Sequence, residues 1–130
     1  MSNLEQHLLS VELQNILKTE YETKNYAFIN EHRETPDSLS YGYDLELLQD
    51  FINHVKTEAE NLEQDTVIIK ICMGQYPEGN FDDRLNPNYN GYQAVFLKAF
   101  APSASGLPID DVSLDSIEAL DFSSVCPPPL

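Results

Sequence analysis

The sequence predicts an α+β fold in which N-terminal helices pack on one face of a small, mostly antiparallel sheet. In the first half of the chain apolar residues recur at helical spacing, and two short runs rich in β-branched and aromatic residues follow. A long polar segment joins the two runs, as expected for strands paired through a hairpin connection. The 130 residues suffice for one domain, 1–130, whose core needs no disulfide or metal.

The first predicted helical segment covers residues from about 3 to 32, in one or two pieces. Ser2 and Ser10 are both suitable N-cap residues, so the main helix can begin after either. Its apolar residues repeat at helical spacing: Leu9, Leu13, Ile16 and Leu17. The stretch "RETPDSLSYGY" ends the segment, since Pro36 disfavours a helix and Gly42 marks a turn.

The second predicted helix covers residues 44–63. Asp44 is a good N-cap residue, and the opposite side of the segment is polar and charged. One continuous apolar stripe consists of Leu48, Phe51, Ile52, Val55, Ala59 and Leu62. The pattern predicts an amphipathic helix that lies on an apolar surface.

Two strands follow, at 66–73 and at "YQAVFLKAF". The first places Val67, Ile69, Ile71 and Met73 on one face, by the two-residue alternation of strands. The second is apolar on both faces, which is typical of a central or helix-covered strand. The segments "SLSYGY" and "VSLDSIEALDF" are candidates for further strands, because a two-stranded hairpin alone is marginal. From about residue 103 the composition predicts an irregular C-terminal segment.

Charge limits the possible partners. The net charge of −15, from 22 acidic against seven basic residues, argues against binding to nucleic acid or anionic membranes, both of which require cationic side chains. It suits a basic protein partner, although an acidic, solvated surface is the plainer explanation. The N-terminus lacks the pattern of a signal peptide, no apolar run is long enough to span a bilayer, and there are only two cysteines, so we expect a cytoplasmic location.

The loop between the two strands, residues 74–92, holds the candidate binding residues. Tyrosines on loops offer a large contact area at low entropic cost, and Arg84 is the one basic residue between Lys70 and Lys98. The candidates are Tyr76, Asp82, Asp83, Arg84, Tyr89, Tyr92 and Gln93. Two alternatives stand beside this prediction: the tyrosines close the edge of a small core, and Arg84 forms a local salt bridge with Asp82 or Asp83.

No pattern in the sequence predicts catalysis, a metal or a cofactor. The three histidines, His7, His32 and His54, all fall on predicted helices, where no Ser–His or Cys–His arrangement is evident. The acidic loop does not match the EF-hand calcium loop, and the two cysteines lack zinc-site spacing. We therefore predict no catalytic or metal-binding residues.

Three short motifs carry a family resemblance: "VIIKICMGQYP", "GYQAVFLKAF" and the tail "CPPPL". With the preceding helix "SYGYDLELLQDFINHVKTEAE", they resemble a family of small, uncharacterised bacterial proteins common in the Bacteroidota. In that family a strand similar to "IRIYFGAYP" precedes a "GYxTVFxxP" strand and a closing Cys-Pro-Pro. The resemblance covers residues 10 to 130 and implies a shared fold but no activity. This chain departs from the family at Lys70, where relatives tend to have Arg.

These observations lead first to a non-enzymatic binding protein, of which an inhibitor or immunity-type partner of a basic protein is one concrete version. A purely structural domain ranks next. The remaining alternative is a small ligand-binding or hydrolytic domain, with a pocket under the 74–92 loop lined by Tyr76, Asp82, Asp83, Arg84 and Gln93.

Overall fold

A computed structural model of the chain describes residues 3–126 and contains two compact units, residues 1–37 and 38–130. The first unit contains a 3₁₀ helix, Leu4–His7, then α1, Val11–Thr23, and α2, Asn25–Asn30. Ser10 is the N-cap of α1, and its hydroxyl accepts a hydrogen bond from the backbone N–H of Leu13. The other predicted cap, Ser2, lies outside the described residues. The predicted helical segment is therefore broken at residues 8–10 and again at Lys24, which has a non-helical backbone conformation.

The apolar stripe of α1 is exposed. None of the 13 residues of α1, all of them described, is buried, and Leu9, Leu13 and Ile16 are each about half exposed. The C-terminal part of the first unit is held by polar contacts: the Tyr26 hydroxyl donates to the backbone carbonyl of Asp37, and the Asp37 backbone N–H donates to the Asn30 side chain.

The second unit contains one long helix and two antiparallel sheets. Its elements are β1 (Ser40–Gly42), α3 (Leu45–Asn61), β2 (Ile68–Gln75), β3 (Gln93–Ala101), β4 (Val112–Ser113) and β5 (Ser124–Cys126). One sheet has the order β2-β3-β4, and β1 pairs with β5 in the other. The predicted α+β class and the central position of the second strand are confirmed. Of the two candidate segments for extending the sheet, "VSLDSIEALDF" does so through β4, whereas "SLSYGY" contains β1, which pairs with β5.

α3 and the first sheet share the main core. Asp44 caps α3 as predicted, since its carboxylate accepts from the backbone N–H groups of Glu46 and Leu47 and so satisfies donors that the helix leaves free. The buried core cluster consists of Phe51, Val55, Ala99, Ala101, Leu114 and Ile117. Two of these residues come from the segment after 103, which therefore contributes to the core although its composition is that of a loop.

The register of β2 and β3 gives their hairpin two different faces. Ile69 opposite Ala99 and Ile71 opposite Leu97 lie on the face that α3 covers, which we call the helix-covered face. Lys70 lies opposite Lys98 on the other face, which we call the lysine face. The predicted apolar face of β2 is covered only in part.

Ile69 packs against the core, whereas Ile71 and Met73 are each 69% exposed. Within residues 3–126, β2 is the edge strand of its sheet, with a neighbour on one side alone.

Two aspartates from the segment after β3 neutralise the paired lysines. Like charges directly opposite each other across two strands destabilise a sheet. Lys70 Nζ lies 3.1 Å from the Asp111 carboxylate, and Lys98 Nζ lies 3.0 Å from that of Asp115. The C-terminal segment thus offsets the repulsion on the lysine face. No helix among the described residues is both long and apolar enough to cross a bilayer.

Candidate functional site

A cleft of about 320 Å³ opens on the lysine face, where β2 ends and the 74–92 loop begins. Gly74, Ala94 and Phe96 on the two strands form its floor. Around the floor stand three aromatic rings and three charged side chains, which come from the loop and from the C-terminal segment: Tyr76, Phe81, Phe122, Asp82, Arg84 and Asp121. We call this site the aromatic cleft.

The three rings form a continuous wall. The ring centroids of Tyr76 and Phe81 are 5.4 Å apart, and those of Phe81 and Phe122 are 6.3 Å apart, both within the range of favourable aromatic pairs. Phe122 has a φ of +56°, in the left-handed region that bulky side chains avoid. The backbone thus adopts an unfavourable conformation at the residue whose ring completes the wall. Such strain is concentrated at functional sites in proteins.

Tyr76 holds Asp121 at the rim of the cleft. Its side chain is buried, and its hydroxyl donates a hydrogen bond of 2.9 Å to the Asp121 carboxylate. Its backbone N–H donates to Tyr92, and its carbonyl accepts from Gly91. Burial, and then the hydrogen bond to Asp121, raise the pKa of Tyr76 well above 10.0, so this phenol remains a neutral donor at physiological pH. The orientation of Asp121 is therefore fixed.

Arg84 lies between a carboxylate and an aromatic ring. Its Nε is 3.0 Å from Oδ1 of Asp82, its Nη2 is 3.0 Å from Oδ2, and its Cζ is 4.4 Å from the ring centroid of Phe122. Hydrogen bonding by Arg84 lowers the pKa of Asp82 to about 2, and the same contacts raise the pKa of Arg84. The local salt bridge that the sequence offered as an alternative is present, with Asp82 as the partner.

The cleft carries more negative than positive charge. Glu118 and Asp121 also raise the pKa of Arg84 by their charges, so at least three carboxylates act on one guanidinium. The field of Asp121 reaches Tyr43 as well, whose pKa is raised first by burial and then by this carboxylate. A cation is therefore the ligand that the electrostatics of the cleft favour.

A second depression, of about 590 Å³, lies within the loop itself and shares Phe81 and Asp82 with the aromatic cleft. Its remaining lining residues are Gly79, Asn80, Asp83, Leu85, Pro87 and Asn90. Although it is larger, it brings one aromatic ring and two carboxylates together, with neither the strand floor nor the guanidinium of the cleft. The smaller site is the more organised of the two.

The structure divides the seven predicted binding residues. Tyr76, Asp82 and Arg84 line the aromatic cleft. Asp83 lines only the second depression, and Gln93 lies in β3 opposite Gln75, outside the lining of both.

Tyr89 and Tyr92 pack in a small core and do not line the aromatic cleft. Their rings meet edge to face, with centroids 5.7 Å apart, and Tyr92 is buried with Tyr76 and Ala94 in a small second core. The alternative in which tyrosines close the edge of a core therefore describes these two residues.

Four of the aromatic and charged residues that line the cleft were not predicted: Phe81, Phe96, Asp121 and Phe122. Asp121 meets Tyr76 across 45 positions of sequence, so spacing along the chain carries no signal for the contact. The sequence offers one local signal for these residues. The acidic-aromatic pair Asp121-Phe122 ends "VSLDSIEALDF", a segment predicted as a candidate strand.

Within residues 3–126, no group of three His, Cys, Asp or Glu side chains is arranged to hold a metal ion. The cleft presents aromatic rings, carboxylates and one guanidinium. Comparison with protein-family models, with curated proteins and with solved structures found no match for this chain.

Proposed function

We propose that the protein is a non-enzymatic binding protein that recognises a basic partner protein through the aromatic cleft. The observation that carries the proposal is the position of Arg84. Its guanidinium lies over the ring of Phe122 and bonds to the Asp82 carboxylate, so one ring and one carboxylate of this cleft already hold a cation. Aromatic faces attract cations through the ring quadrupole, and guanidinium groups do so most often.

The charge of the whole chain supports a basic partner. A net charge of −15 speeds the approach of a cationic protein and disfavours acidic ones. On the lysine face both lysines are paired with aspartates, so they do not offset the negative field near the cleft. An inhibitor or immunity-type protein that neutralises a basic partner would use such a surface.

The size of the cleft suits one inserted side chain. Its volume of about 320 Å³ is at the lower end of the range of ligand pockets, roughly 300–1,000 Å³. Ala94 in its floor and Tyr76 in its wall are both buried, and interfaces gain most of their affinity from a few side chains in such pockets. The same concavity makes a small cationic molecule the second candidate ligand.

The proposal is tested by calorimetric titration with an Arg-Gly repeat peptide at low and at high salt. We expect binding that weakens steeply as salt rises, because exposed charges are screened. Phe122→Leu removes the ring without changing charge and should weaken binding about fivefold, the value of one cation–π contact. Phe28→Leu, which changes an exposed phenylalanine of the first unit, is the matched control and should bind like the wild type. Absence of binding at low salt, or equal binding by Phe122→Leu, would contradict the proposal.

A further inference from the structure

We propose that the group the cleft accepts from its partner is a guanidinium, and that Arg84 occupies the position of that group in the free protein. This inference rests on the proposed function and specifies the chemistry of the ligand. The protein would bind its partner by exchanging its own arginine for the partner's.

The contacts of Arg84 match a guanidinium and do not match an ammonium. Two nitrogens of the planar group meet the two oxygens of Asp82, both at 3.0 Å, while the same plane lies over Phe122. A lysine ammonium is a compact point charge that cannot make this two-pronged contact and stack at once. The site therefore distinguishes arginine from lysine by shape.

The Arg84 side chain is weakly held. It is 72% exposed, and its carboxylate partner is only two residues away in the same turn. Exposed ion pairs contribute little to stability, because water competes for both groups and ordering the side chains opposes the attraction. An incoming guanidinium therefore meets little resistance to displacing it.

The rest of the site stays in place without the Arg84 side chain. The Asp82 carboxylate also accepts the backbone N–H of Arg84, at 2.9 Å, and this bond survives when the side chain leaves. Asp121 is held by Tyr76, and the ring of Phe122 is directed by its own backbone conformation. Each element that would contact the new guanidinium is thus preorganised independently, which lowers the entropic penalty of binding.

Displacement has a measurable consequence for affinity. When a binding-competent state is only a fraction of the population, the apparent dissociation constant rises by the inverse of that fraction. If Arg84 occupies the site in about nine molecules of ten, removing it should tighten binding about tenfold. The probe is a blocked Gly-Arg-Gly peptide, with Gly-Lys-Gly as its matched partner.

The test compares Arg84→Ala with Arg33→Ala, which removes the same charge from the first unit. We expect Arg84→Ala to bind Gly-Arg-Gly about tenfold more tightly than the wild type, and to bind Gly-Arg-Gly more tightly than Gly-Lys-Gly. Arg33→Ala should bind like the wild type. An equal gain in both variants, or equal affinity of Arg84→Ala for the two peptides, would overturn the inference.

A second measurement observes the displacement directly in the wild type. The chain has two arginines, so its side-chain Nε–Hε spectrum contains an internal control. On addition of the Arg-Gly repeat peptide, the Arg84 signal should move toward that of free arginine, while the Arg33 signal stays. The peptide could bind, with weaker binding by Phe122→Leu, while the Arg84 signal does not move. In that case the exchange is excluded and the basic-partner proposal stands. If the peptide does not bind at all, both fail.

Discussion

On the helix-covered face of the β2–β3 hairpin, Ile69, Leu97 and Ala99 pack in the core with residues of α3, whereas Ile71 and Met73 are exposed. On the lysine face of the same two strands lie paired lysines, tyrosines and the aromatic cleft. The same two strands thus present one apolar surface and one charged and aromatic surface on opposite faces of the sheet. The covered face contributes stability through apolar burial, and the other organises charges and rings that remain accessible to a partner.

The difference shows how a single strand serves two roles. Ala99 on the helix-covered face is fully buried, whereas its neighbour Lys98 reaches the exposed carboxylate of Asp115. Alternation along the strand makes this possible, because successive side chains point to opposite sides. Substitutions on the two faces should therefore change different quantities.

The largest effect is expected on the helix-covered face. Ile117 is 1% exposed in the core, and Ile117→Ala should lower the free energy of unfolding by about 2–5 kcal/mol, through lost burial and a residual cavity. Ile71→Ala is the matched control, since it makes the same change at an exposed site on β2, and it should lower the free energy by at most about 1 kcal/mol. Urea denaturation measures both. Equal effects would show that α3 and the C-terminal segment do not form the main core.

An intermediate effect is expected at Tyr76. Tyr76→Phe removes the hydrogen bond to the Asp121 carboxylate and should lower the free energy of unfolding by about 1–3 kcal/mol. Tyr89→Phe removes a hydroxyl from the same small core. Within residues 3–126 that hydroxyl has no recorded hydrogen-bond partner, so this control should have a smaller effect.

The pH dependence of stability also distinguishes Tyr76→Phe from Tyr89→Phe. Because the pKa of Tyr76 is raised in the folded protein, the unfolded chain loses this proton first, and stability falls as pH rises above 10.0. Tyr76→Phe should reduce that slope, and Tyr89→Phe should retain it. A slope that is unchanged in Tyr76→Phe would show that this phenol does not couple to folding.

The smallest effect is expected at the ion pairs of the lysine face. The side chain of Asp111 is 5% exposed and also accepts the backbone N–H of Ser103, whereas that of Asp115 is 83% exposed. Asp111→Asn should therefore lower the urea midpoint, and Asp115→Asn should leave it nearly unchanged. The two effects would be equal if repulsion between the lysines, rather than burial, dominated, because each aspartate pairs with one lysine.

Measuring stability at low pH provides a control for the comparison of Asp111→Asn with the wild type. The hydrogen bond from Ser103 and the pairing with Lys70 hold the pKa of Asp111 below its ordinary 3.8. The stability it contributes is present above about pH 3.8 and is lost as pH falls through the lowered value. The difference between the wild type and Asp111→Asn should vanish over that range.

Local sequence signals predicted the elements with strong periodicity. Asp44 and the apolar stripe defined α3, and β-branched runs defined β2 and β3, because these patterns reflect burial on one side of a regular element. The sequence does not reveal that the segment after 103 returns to place Leu114 and Ile117 in the core. Those contacts depend on how a loop-like chain packs, which periodicity does not encode.

The candidate site was predicted in part for the same reason. Tyr76, Asp82 and Arg84 lie on one loop, and the abundance of tyrosines and charges there indicated a binding surface. Asp121 and Phe122 join them from a distant segment, and the backbone conformation of Phe122 is one that no propensity would favour. Contacts formed only in the folded chain thus complete the aromatic cleft.

The exposed edge of β2 has a consequence for the behaviour of the protein in solution. Among residues 3–126, the eight-residue strand β2 has one edge without a neighbouring strand and exposes Ile71 and Met73, so another chain can extend the sheet there. At neutral pH the net charge of −15 makes copies of the protein repel one another. That repulsion disappears near the isoelectric point of about 4.2, so the protein should be least soluble in weakly acidic buffers. The excess of acidic side chains therefore opposes self-association at neutral pH.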